Sequence, residues 1–389
     1  MIIEITFWLA AGLVAYAWLG YPLLLTALAA ISSPSVRALR PRPRLSVIIA
    51  AYNEARTIKA KLASTCSQQY PRDRIEVIVV SDGSTDGTDD IVRRYPDRRV
   101  LLVRQEPRSG KSVALNRGVA VATGDVLVFT DANALFGTDA LARLAALFAD
   151  PRVGLVSGQG LYGETGAADA GAVSNGYVRY EAWLRRGESA LGFLANADGA
   201  IYALRRHLYR PLGRAEVNDL LHPIQATLAG FDSRFDDHAF TIEPPSGHAG
   251  QEWRRHVRII AQGMELLAAW TPRLVAAGCW RALWALVSHR VLRWATAPLL
   301  AAALVTNIVL AWRMPLYTIT LAAQLAFYVM ALAGPIAERL GRRLGVFGAP
   351  YYFCVVSVAG VAGFLRALRG GADAIWTPGG QAISRDRAA

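Results

Sequence analysis

Three acidic side chains, Glu54, Asp82 and Asp131, each stand at or just after the end of a short apolar run in this sequence. Runs rich in valine and isoleucine that end in turn residues are typical of strands buried in a parallel sheet. Ligands of open α/β sheets bind outside the carboxyl ends of the strands. Because the three carboxylates would meet at that one edge, the sequence predicts a site there for a polar ligand together with a metal ion.

Predicted strands and helices alternate strictly over the residues that carry these carboxylates. The strands are predicted at 46–51, 76–81, 100–104 and 125–130, and the helices at 55–67, 88–94, 112–122 and 138–148. Such alternation predicts an α/β fold with a Rossmann-like, mostly parallel sheet and helices on both faces. The order is less regular after Pro151, where strands at 153–158 and 200–205 are predicted on either side of a helix at 172–186.

Four stretches of the chain contain no charged side chain, at 5–30, 294–312, 314–337 and 344–365. Each is long enough to cross the hydrocarbon core of a bilayer, which takes about 20 helical residues. The first stretch has no basic residue ahead of it and is longer than the apolar region of a signal peptide, so we interpret it as a membrane anchor. The lipid bilayer is therefore a predicted partner of the chain.

The formal charge of +12 comes largely from arginines that cluster beside the apolar stretches. They stand at positions 37, 40, 42 and 44, at 281, 290 and 293, and at 339, 342 and 343. Arginines beside spans mark the cytoplasmic side of a membrane, which argues against nucleic acid as a partner. The pattern predicts a multi-pass protein of a bacterial inner membrane with residues 37–293 in the cytoplasm. Arginines at 366, 369, 385 and 387 conflict with three spans after residue 293, and the side of the tail stays open.

These patterns divide the chain into five segments: an anchor at 1–36, a catalytic domain at 37–250, a connecting segment at 251–293, about three membrane helices at 294–369 and a tail at 370–389. In the connecting segment, Trp253, Val257, Ile260, Met264 and Leu267 recur every three or four residues. An apolar face opposite arginines suits a helix that lies in the membrane interface. The alternative is a surface helix packed on the sheet.

The combination of short motifs resembles the membrane-bound family-2 glycosyltransferases with a GT-A fold, a group that includes cellulose, hyaluronan and poly-N-acetylglucosamine synthases. The motifs are Tyr52-Asn-Glu54, Ser81-Asp82-Gly-Ser-Thr-Asp86, Gly110-Lys111, Thr130-Asp131-Ala-Asn133, Asn218-Asp219 and Gln251-x-x-Arg254. The resemblance extends from about Ser46 to Met264. It implies an enzyme that transfers a sugar from a UDP-sugar with inversion at the anomeric carbon.

For the nucleoside of the donor, the resemblance implies contacts at the ends of the first two strands. Ala50, Tyr52 and Glu54 would line the uridine pocket, where the tyrosine ring offers a flat face to the base. Asp82 would accept hydrogen bonds from uracil or ribose. The alternative for Asp82 is to cap the turn that follows its strand.

For the diphosphate of the donor, the resemblance implies Lys111, Gln251 and Arg254. Lys111 is one of only three lysines in the chain, and its compact ammonium group suits a phosphate contact. An exposed lysine at a helix start is the alternative. Gln251 and Arg254 match part of the motif that closes over the diphosphate in this family.

Asp131 and Asn133 occupy the position of the family's Asp-x-Asp motif, which implies a bound Mg²⁺ or Mn²⁺. Such ions prefer hard oxygen ligands, and Asn133 supplies a neutral oxygen in place of the second carboxylate. We therefore expect weaker metal binding than two carboxylates would give.

Asp219 occupies the position of the catalytic base, which takes the proton of the acceptor hydroxyl group. Its neighbour Asn218 replaces an acidic residue of the family motif. The alternative for Asp219 is to cap a helix N-terminus.

For the acceptor, Asp198 is expected to frame the site, with a turn role as the alternative, and Arg255 replaces a tryptophan associated with acceptor stacking in processive synthases. The leading hypothesis is extension of an exopolysaccharide or another cell-surface glycan. The alternative is transfer of a single sugar to a polyprenyl-linked or other lipid-linked acceptor. A membrane scaffold without activity fits poorly, because Asp82, Asp131, Asp219 and Arg254 are all present.

Overall fold

The computed structural model describes residues 1–32, 42–163, 168–244, 249–339 and 347–370, with the backbone alone at 168–175, 249–252 and 338–339. The side chain of Gln251, the arginines at 37 and 40 and the predicted tail beyond residue 370 therefore lie outside the described part of the chain.

Eight strands form one sheet: β1 (Leu45–Ala51), β2 (Ile75–Asp82), β3 (Val100–Gln105), β4 (Val126–Asp131), β5 (Leu135–Phe136), β6 (Val153–Tyr162), β7 (Tyr202–Arg205) and β8 (Asp232–Glu243). Their order is β3-β2-β1-β4-β7-β6-β8-β5. The first four strands in this order are parallel, whereas β7 is antiparallel to both β4 and β6. The predicted α/β fold with a largely parallel sheet is confirmed.

The helices are α1 (Ile2–Ala15), α2 (Tyr21–Ile31), α3 (Ile58–Cys66), α4 (Thr88–Arg93), α5 (Lys111–Val121), α6 (Ala140–Leu147), α7 (Ala168–Ala190), α8 (Asn218–Leu228), α9 (Ala249–Ala276), α10 (Trp280–Ala285), α11 (Leu292–Trp294), α12 (Thr296–Leu310), α13 (Pro315–Arg339) and α14 (Gly348–Leu368). Side chains of β1 alternate between two cores, as a strand requires. Val47 and Ile49 pack with α3 and α6, whereas Ile48 lies in the core with α5, α7 and α8. Helices therefore cover both faces of the sheet.

The sequence does not predict β8, although this strand has 12 residues. Its charged residues Asp236 and Asp237 interrupt the alternation of apolar side chains that would mark a strand. Pairing with β6 on one side and with β5 on the other fixes the strand nevertheless. As a consequence, the end of β8 lies beside the turn that follows β4.

In the described part of the chain, three helical segments are long and apolar enough to cross a membrane: Ile2–Ile31, Pro315–Ala337 and Gly348–Leu368. The predicted span at 294–312 is instead one limb of a bent pair, in which Trp280–Trp294 and Thr296–Leu310 meet at 61°. A π-helical turn, Leu286–Val291, lies within the first limb.

Buried polar contacts fix the apolar segments to the catalytic domain through α7. Glu188 of α7 accepts a hydrogen bond from the Tyr21 hydroxyl group at 2.9 Å and contacts the His289 ring at 2.7 Å. Glu181, two turns earlier, forms an ion pair with Arg293 at 2.6 Å. The bent pair and the N-terminal segment are thereby held against the helix that borders the sheet.

The amphipathic helix predicted around 253–267 is part of α9, which is longer in both directions. It packs against α8 on one side and against α14 on the other. Leu266 and Leu267 lie in the domain core, while Ile260 meets Gly363 of α14, where an added Cβ would come within 2.7 Å. The helix therefore lies between the catalytic domain and an apolar helix, and combines features of both alternatives.

Candidate active site

The turn between β4 and β5 carries the two predicted metal ligands, Asp131 and Asn133. Beneath it lies Lys61 of α3, whose side chain is fully buried. Its Nζ donates a hydrogen bond of 2.7 Å to Thr130 Oγ1 and another to the carbonyl group of Ala134, so it connects the two ends of the turn. Burial holds the pKa of Lys61 well below its usual range, and the neighbouring carboxylate of Asp131 opposes this shift.

Lys61 is a residue that the sequence analysis does not single out. The available signal was its position on the apolar side of α3, where Ile58, Leu62 and Thr65 are also buried. A lysine among such residues must find internal partners, because a buried ammonium group without hydrogen bonds is costly.

Lys111 meets Asp131 from the first turn of α5. Its Nζ lies 2.5 Å from Asp131 Oδ1, in an ion pair that is partly open to solvent. Gly110, just before Lys111, has a φ of 96°, a conformation that favours glycine and turns the chain into the helix. The predicted phosphate contact and the predicted metal ligand are thus adjacent in the structure.

Asp82 organises the loop that leads to Lys111. Its carboxylate accepts hydrogen bonds from the backbone N–H groups of Ser109 and Gly110, both at 2.8 Å, and from Gln105 Nε2 at 2.5 Å. Only 3% of Asp82 is exposed. These contacts are with the end of β3 and the loop after it, and not with the turn that follows the strand of Asp82. A contact of Asp82 with uracil or ribose stays a prediction.

The expected nucleoside pocket lies at the ends of β1 and β2. Ala50 is buried and pairs in register with Asp131, which places it beneath the site. The guanidinium group of Arg108 lies 3.5 Å from the centroid of the Tyr52 ring and covers one of its faces. A nucleobase would therefore use the other face of Tyr52 or replace Arg108.

Glu54 is linked electrostatically to the metal turn. It accepts a hydrogen bond of 2.6 Å from Thr57 Oγ1. Burial raises the pKa of Glu54, and the charges of Asp131 and Asp86 raise it further, against the effect of the Thr57 hydrogen bond.

Asp219, the predicted base, is the second residue of α8. Its backbone carbonyl group accepts a hydrogen bond from Ala197 at 2.8 Å, and its carboxylate packs on Gly199, where a Cβ would lie 3.2 Å from Oδ2. Burial raises the pKa of Asp219, whereas the charges of Lys111 and Arg290 lower it. The charges of Asp198 and Asp131 raise the pKa of Asp219 further, so that it lies above its usual value overall.

The carboxylate of Asp198 lies below the site and already has partners within the protein. Its Oδ2 forms an ion pair with Arg185 at 2.9 Å and accepts a hydrogen bond from the backbone of Gly160 at 3.0 Å. These contacts fit a framing role more closely than a direct chemical one.

Asn218 points away from Asp219 and into the core. Its Nδ2 donates to the Tyr202 hydroxyl group at 2.7 Å, and this hydroxyl group contacts His222 Nδ1 at 2.8 Å. Burial lowers the pKa of His222 to about 3, so the ring is neutral at physiological pH. Asn218 thus anchors the start of α8. Because the family motif has an acidic residue where this chain has Asn218, Asp219 is the carboxylate on that turn.

Three arginines of interest lie on the bent helix pair and on α9. Arg290 belongs to the π-helical turn of the bent pair, and its buried Nε makes no hydrogen bond with the described residues. Arg254 and Arg255, in the first turns of α9, are both exposed. Of these two, Arg255 is close enough for its charge to lower the pKa of Glu243 at the end of β8.

The described residues include no group of three histidine, cysteine or acidic side chains that could hold a metal ion by itself. Asp131 supplies a charged oxygen and Asn133 a neutral one, next to Lys111, the lysine that is predicted to contact the donor phosphate. This donor set fits a hard divalent cation that completes its coordination with the diphosphate of a donor.

The whole arrangement is that of a GT-A glycosyltransferase. A solved structure of a mannosyltransferase from Pyrobaculum calidifontis, in complex with GDP-mannose and Mn²⁺, is similar to this chain with a TM-score of 0.67 and 26% sequence identity. The similarity covers 93% of this chain and 99% of that one, so it includes the apolar helices.

Residues 46–210 match the model of glycosyl transferase family 2. A poly-β-1,6-N-acetyl-D-glucosamine synthase of Staphylococcus epidermidis is 23% identical over 57% of this chain and 55% of its own length. A β-monoglucosyldiacylglycerol synthase of Synechocystis is 37% identical over 29% of this chain and 25% of its own length. The chain thus spans about half, or less, of the curated relatives that it matches. It carries a family-2 glycosyltransferase domain with a GT-A fold, which confirms the resemblance and the class of enzyme.

Proposed function

We propose that this chain is a membrane-associated, inverting glycosyltransferase that adds sugars to a hydroxyl group of an acceptor presented at the membrane surface. The observation that carries the proposal is the position of Asp219. Asp219 lies close enough to Lys111 of the Lys111–Asp131 pair, and to Arg290 of the bent helix pair, for both charges to lower its pKa. An acceptor that reaches this carboxylate is therefore expected to approach beside the bent helix pair, which carries Arg290.

In this mechanism, Asp219 accepts the proton of the acceptor hydroxyl group while its oxygen attacks the anomeric carbon from the side opposite the diphosphate. The bond between that carbon and the diphosphate oxygen breaks, and inversion follows. A divalent cation, Mg²⁺ or Mn²⁺, held by Asp131 and Asn133, would neutralise the charge that develops on the departing nucleotide. Lys111 turns from Asp131 to the phosphate, and Arg254 with Gln251 closes over it.

For the donor we propose a UDP-sugar, in line with the motifs of the synthases that the chain resembles. The similar mannosyltransferase structure contains GDP-mannose, and a purine would need more room beside Tyr52 than uracil. Arg108, stacked on that ring, is therefore the side chain expected to distinguish the two bases.

For the acceptor, we propose a glycan or lipid-linked hydroxyl group that receives one or a few sugars. A processive synthase holds the growing chain on an aromatic side chain, but Arg255 stands at the position of the family's tryptophan. Tyr180, an aromatic residue that could replace it, stacks on Trp18 and donates a hydrogen bond of 2.8 Å to its carbonyl group. Tyr180 therefore serves to pack α7 against the N-terminal segment.

Long-chain extension is the second candidate, because the poly-N-acetylglucosamine synthase relative matches 57% of this chain. In both cases we propose an inner-membrane location with the catalytic domain in the cytoplasm, where nucleotide sugars are made.

The test is a transfer assay on protein reconstituted into lipid vesicles. UDP- and GDP-sugars are supplied in turn with Mg²⁺ or Mn²⁺, and nucleotide release and the size of the labelled product are measured. A glycolipid or short glycan supports the proposal, whereas a ladder of long chains, lengthened further by Arg255→Trp, supports the second candidate. Nucleotide release no faster than that of Asp219→Asn, across all donors, would refute both.

A further inference from the structure

Glu243 ends β8 directly beside the metal turn. Antiparallel pairing of Leu135 with Ile242 places Glu243 one residue beyond the ladder, opposite Ala134 and next to Asn133. The residue is only 8% exposed, and its backbone carbonyl group accepts a hydrogen bond of 2.7 Å from Gly163. With the described residues, its carboxylate makes neither a hydrogen bond nor an ion pair, which is unusual for a buried acid.

Charged side chains from five other parts of the fold surround this carboxylate. Its electrostatic neighbours are Asp131, Arg255, Asp198, Lys111 and Lys61. All but Lys61, which lies beneath the metal turn, are residues of the site described above. The carboxylate of Glu243 therefore lies among the groups expected around the donor diphosphate.

Glu243 shares a poorly solvated space with the carboxylate of Asp131. Burial, together with the neighbouring charge of Asp131, raises the pKa of Glu243 to about 7. Two carboxylates that share a poorly solvated space repel each other unless a proton or a metal ion lies between them. Lys111 is already paired with Asp131 and leaves Glu243 without a direct partner.

We propose that Glu243 is the second anionic ligand of the divalent cation, and that it supplies from β8 the charge that Asn133 lacks. A hard cation that binds diphosphate prefers carboxylate oxygens to a single amide oxygen, and two carboxylates from different strands satisfy this preference. The inference rests on the proposed function only in that the site binds a metal–nucleotide complex.

The test measures metal binding rather than catalysis. Mn²⁺ binding is followed by electron paramagnetic resonance, with UDP or GDP present, for the full-length protein in detergent and for Glu243→Gln, Asp131→Asn and Asp236→Asn. The last variant is the matched control, since Asp236 lies on the same strand and, among the described residues, its side chain accepts a hydrogen bond only from the backbone N–H group of His238. We expect the dissociation constant for Mn²⁺ to rise about tenfold or more in Glu243→Gln and in Asp131→Asn, and to stay unchanged in the control.

A double variant separates ligation from a general disturbance of the fold. Asn133→Asp in the Glu243→Gln background returns a second carboxylate to the site from the turn between β4 and β5, and should restore Mn²⁺ affinity. Wild-type affinity in Glu243→Gln, or no recovery in the double variant, would overturn the assignment of Glu243. If the wild-type protein itself binds no Mn²⁺ with either nucleotide, the proposed function fails instead, and the two failures are distinct.

Discussion

At the scale of single residues, Asp219 and Asn218 are neighbours with separate duties. Asp219 faces the donor side, whereas Asn218 bonds to Tyr202 in the core. We expect Asp219→Asn to reduce the turnover number roughly 10²–10⁴-fold, because the amide cannot take the proton of the acceptor. Nucleotide binding should be retained. Turnover and the nucleotide dissociation constant, measured on the same preparation, check this expectation.

The control for this prediction moves the carboxylate by one residue. In the double variant Asp219→Asn with Asn218→Asp, the new acid faces Tyr202 and His222 and should not restore activity. Recovery of transfer in the double variant would show that either position can provide the base.

Arg290 is expected to set the acidic limit of catalysis through its charge. Burial raises the pKa of Asp219, and Lys111 and Arg290 hold it down, while Asp198 and Asp131 add to the rise. A base with a raised pKa loses its proton only at higher pH, so the rate should increase with pH through that pKa. Removing a nearby cation in Arg290→Met raises the pKa further, and the acidic limb of kcat/KM should move to higher pH.

A matched control for Arg290 is Arg281→Met, an exposed arginine on the preceding helix α10. Its pH profile should overlay that of the wild-type enzyme. An unshifted profile for Arg290→Met would mean that the Arg290 charge does not act on the base in the catalytic complex.

Site residues at the ends of the parallel strands could be predicted from the sequence, whereas those at other positions could not. Glu54, Asp82 and Asp131 were placed on one edge because parallel strands of a sheet end together, and the register of β1 with β2 and β4 has them there. Lys61 lies in the middle of a helix, where no strand-end rule applies. Glu243 ends β8, a strand that the alternation of apolar residues does not predict because charged residues lie at its centre.

At the scale of secondary-structure elements, the turn from β4 to β5 depends on α3 through one side chain. Lys61 connects Thr130 with Ala134 and packs over the Phe136 ring at 3.7 Å. Lys61→Met keeps much of the volume but removes both donors. We expect metal-dependent transfer to fall about 10–100-fold, since a small displacement of Asp131 is enough to misplace the diphosphate.

Stability should respond differently from activity in Lys61→Met. A buried ammonium group is costly even when it is bonded, so its replacement by an apolar side chain is expected to leave the melting temperature nearly unchanged or higher. Lys59→Met, on the exposed side of the same helix, is the control and should alter neither property. A parallel loss of melting temperature and activity in Lys61→Met would indicate a purely structural lysine.

At the scale of the whole molecule, α12 spans the same layer as the first helical segment. Glu4 pairs with Arg313 at 3.8 Å, and Trp8 Nε1 bonds to the Tyr317 hydroxyl group at 3.3 Å. At the opposite end, Trp18 Nε1 donates to Thr296 Oγ1 at 3.0 Å. The two helices therefore run antiparallel over the same depth, and α12 should cross the bilayer wherever α1 does.

The helix α14 packs against α9 as well as against α12 and α13. Phe353, near the start of α14, meets Trp18 at 4.8 Å between ring centroids. Its later residues remain beside the domain, because a Cβ on Gly360 would clash with the carbonyl oxygen of Trp294, and one on Gly363 would lie 2.7 Å from Ile260 of α9. Length and apolar composition permit α14 to span, whereas these contacts favour a position along the membrane surface.

A surface position for α14 places the arginines at 366, 369, 385 and 387 in the cytoplasm, together with the three other arginine clusters. The conflict in the charge pattern then disappears, since three crossings rather than four leave the tail inside. Single cysteines in a protein whose Cys66, Cys279 and Cys354 are replaced by alanine can test this arrangement. A maleimide that cannot cross the membrane should label Met314→Cys in intact cells, because Met314 lies in the exposed turn between α12 and α13.

Arg369→Cys, just after α14, should react only after the membrane is permeabilised, as should Lys59→Cys in the catalytic domain. Both side chains are exposed, so a lack of labelling in intact cells would reflect the side of the membrane rather than burial. If Arg369→Cys reacts in intact cells as readily as Met314→Cys, α14 crosses the bilayer. The contacts of Gly360 and Gly363 would then have to form within the membrane, and α9 would have to enter it.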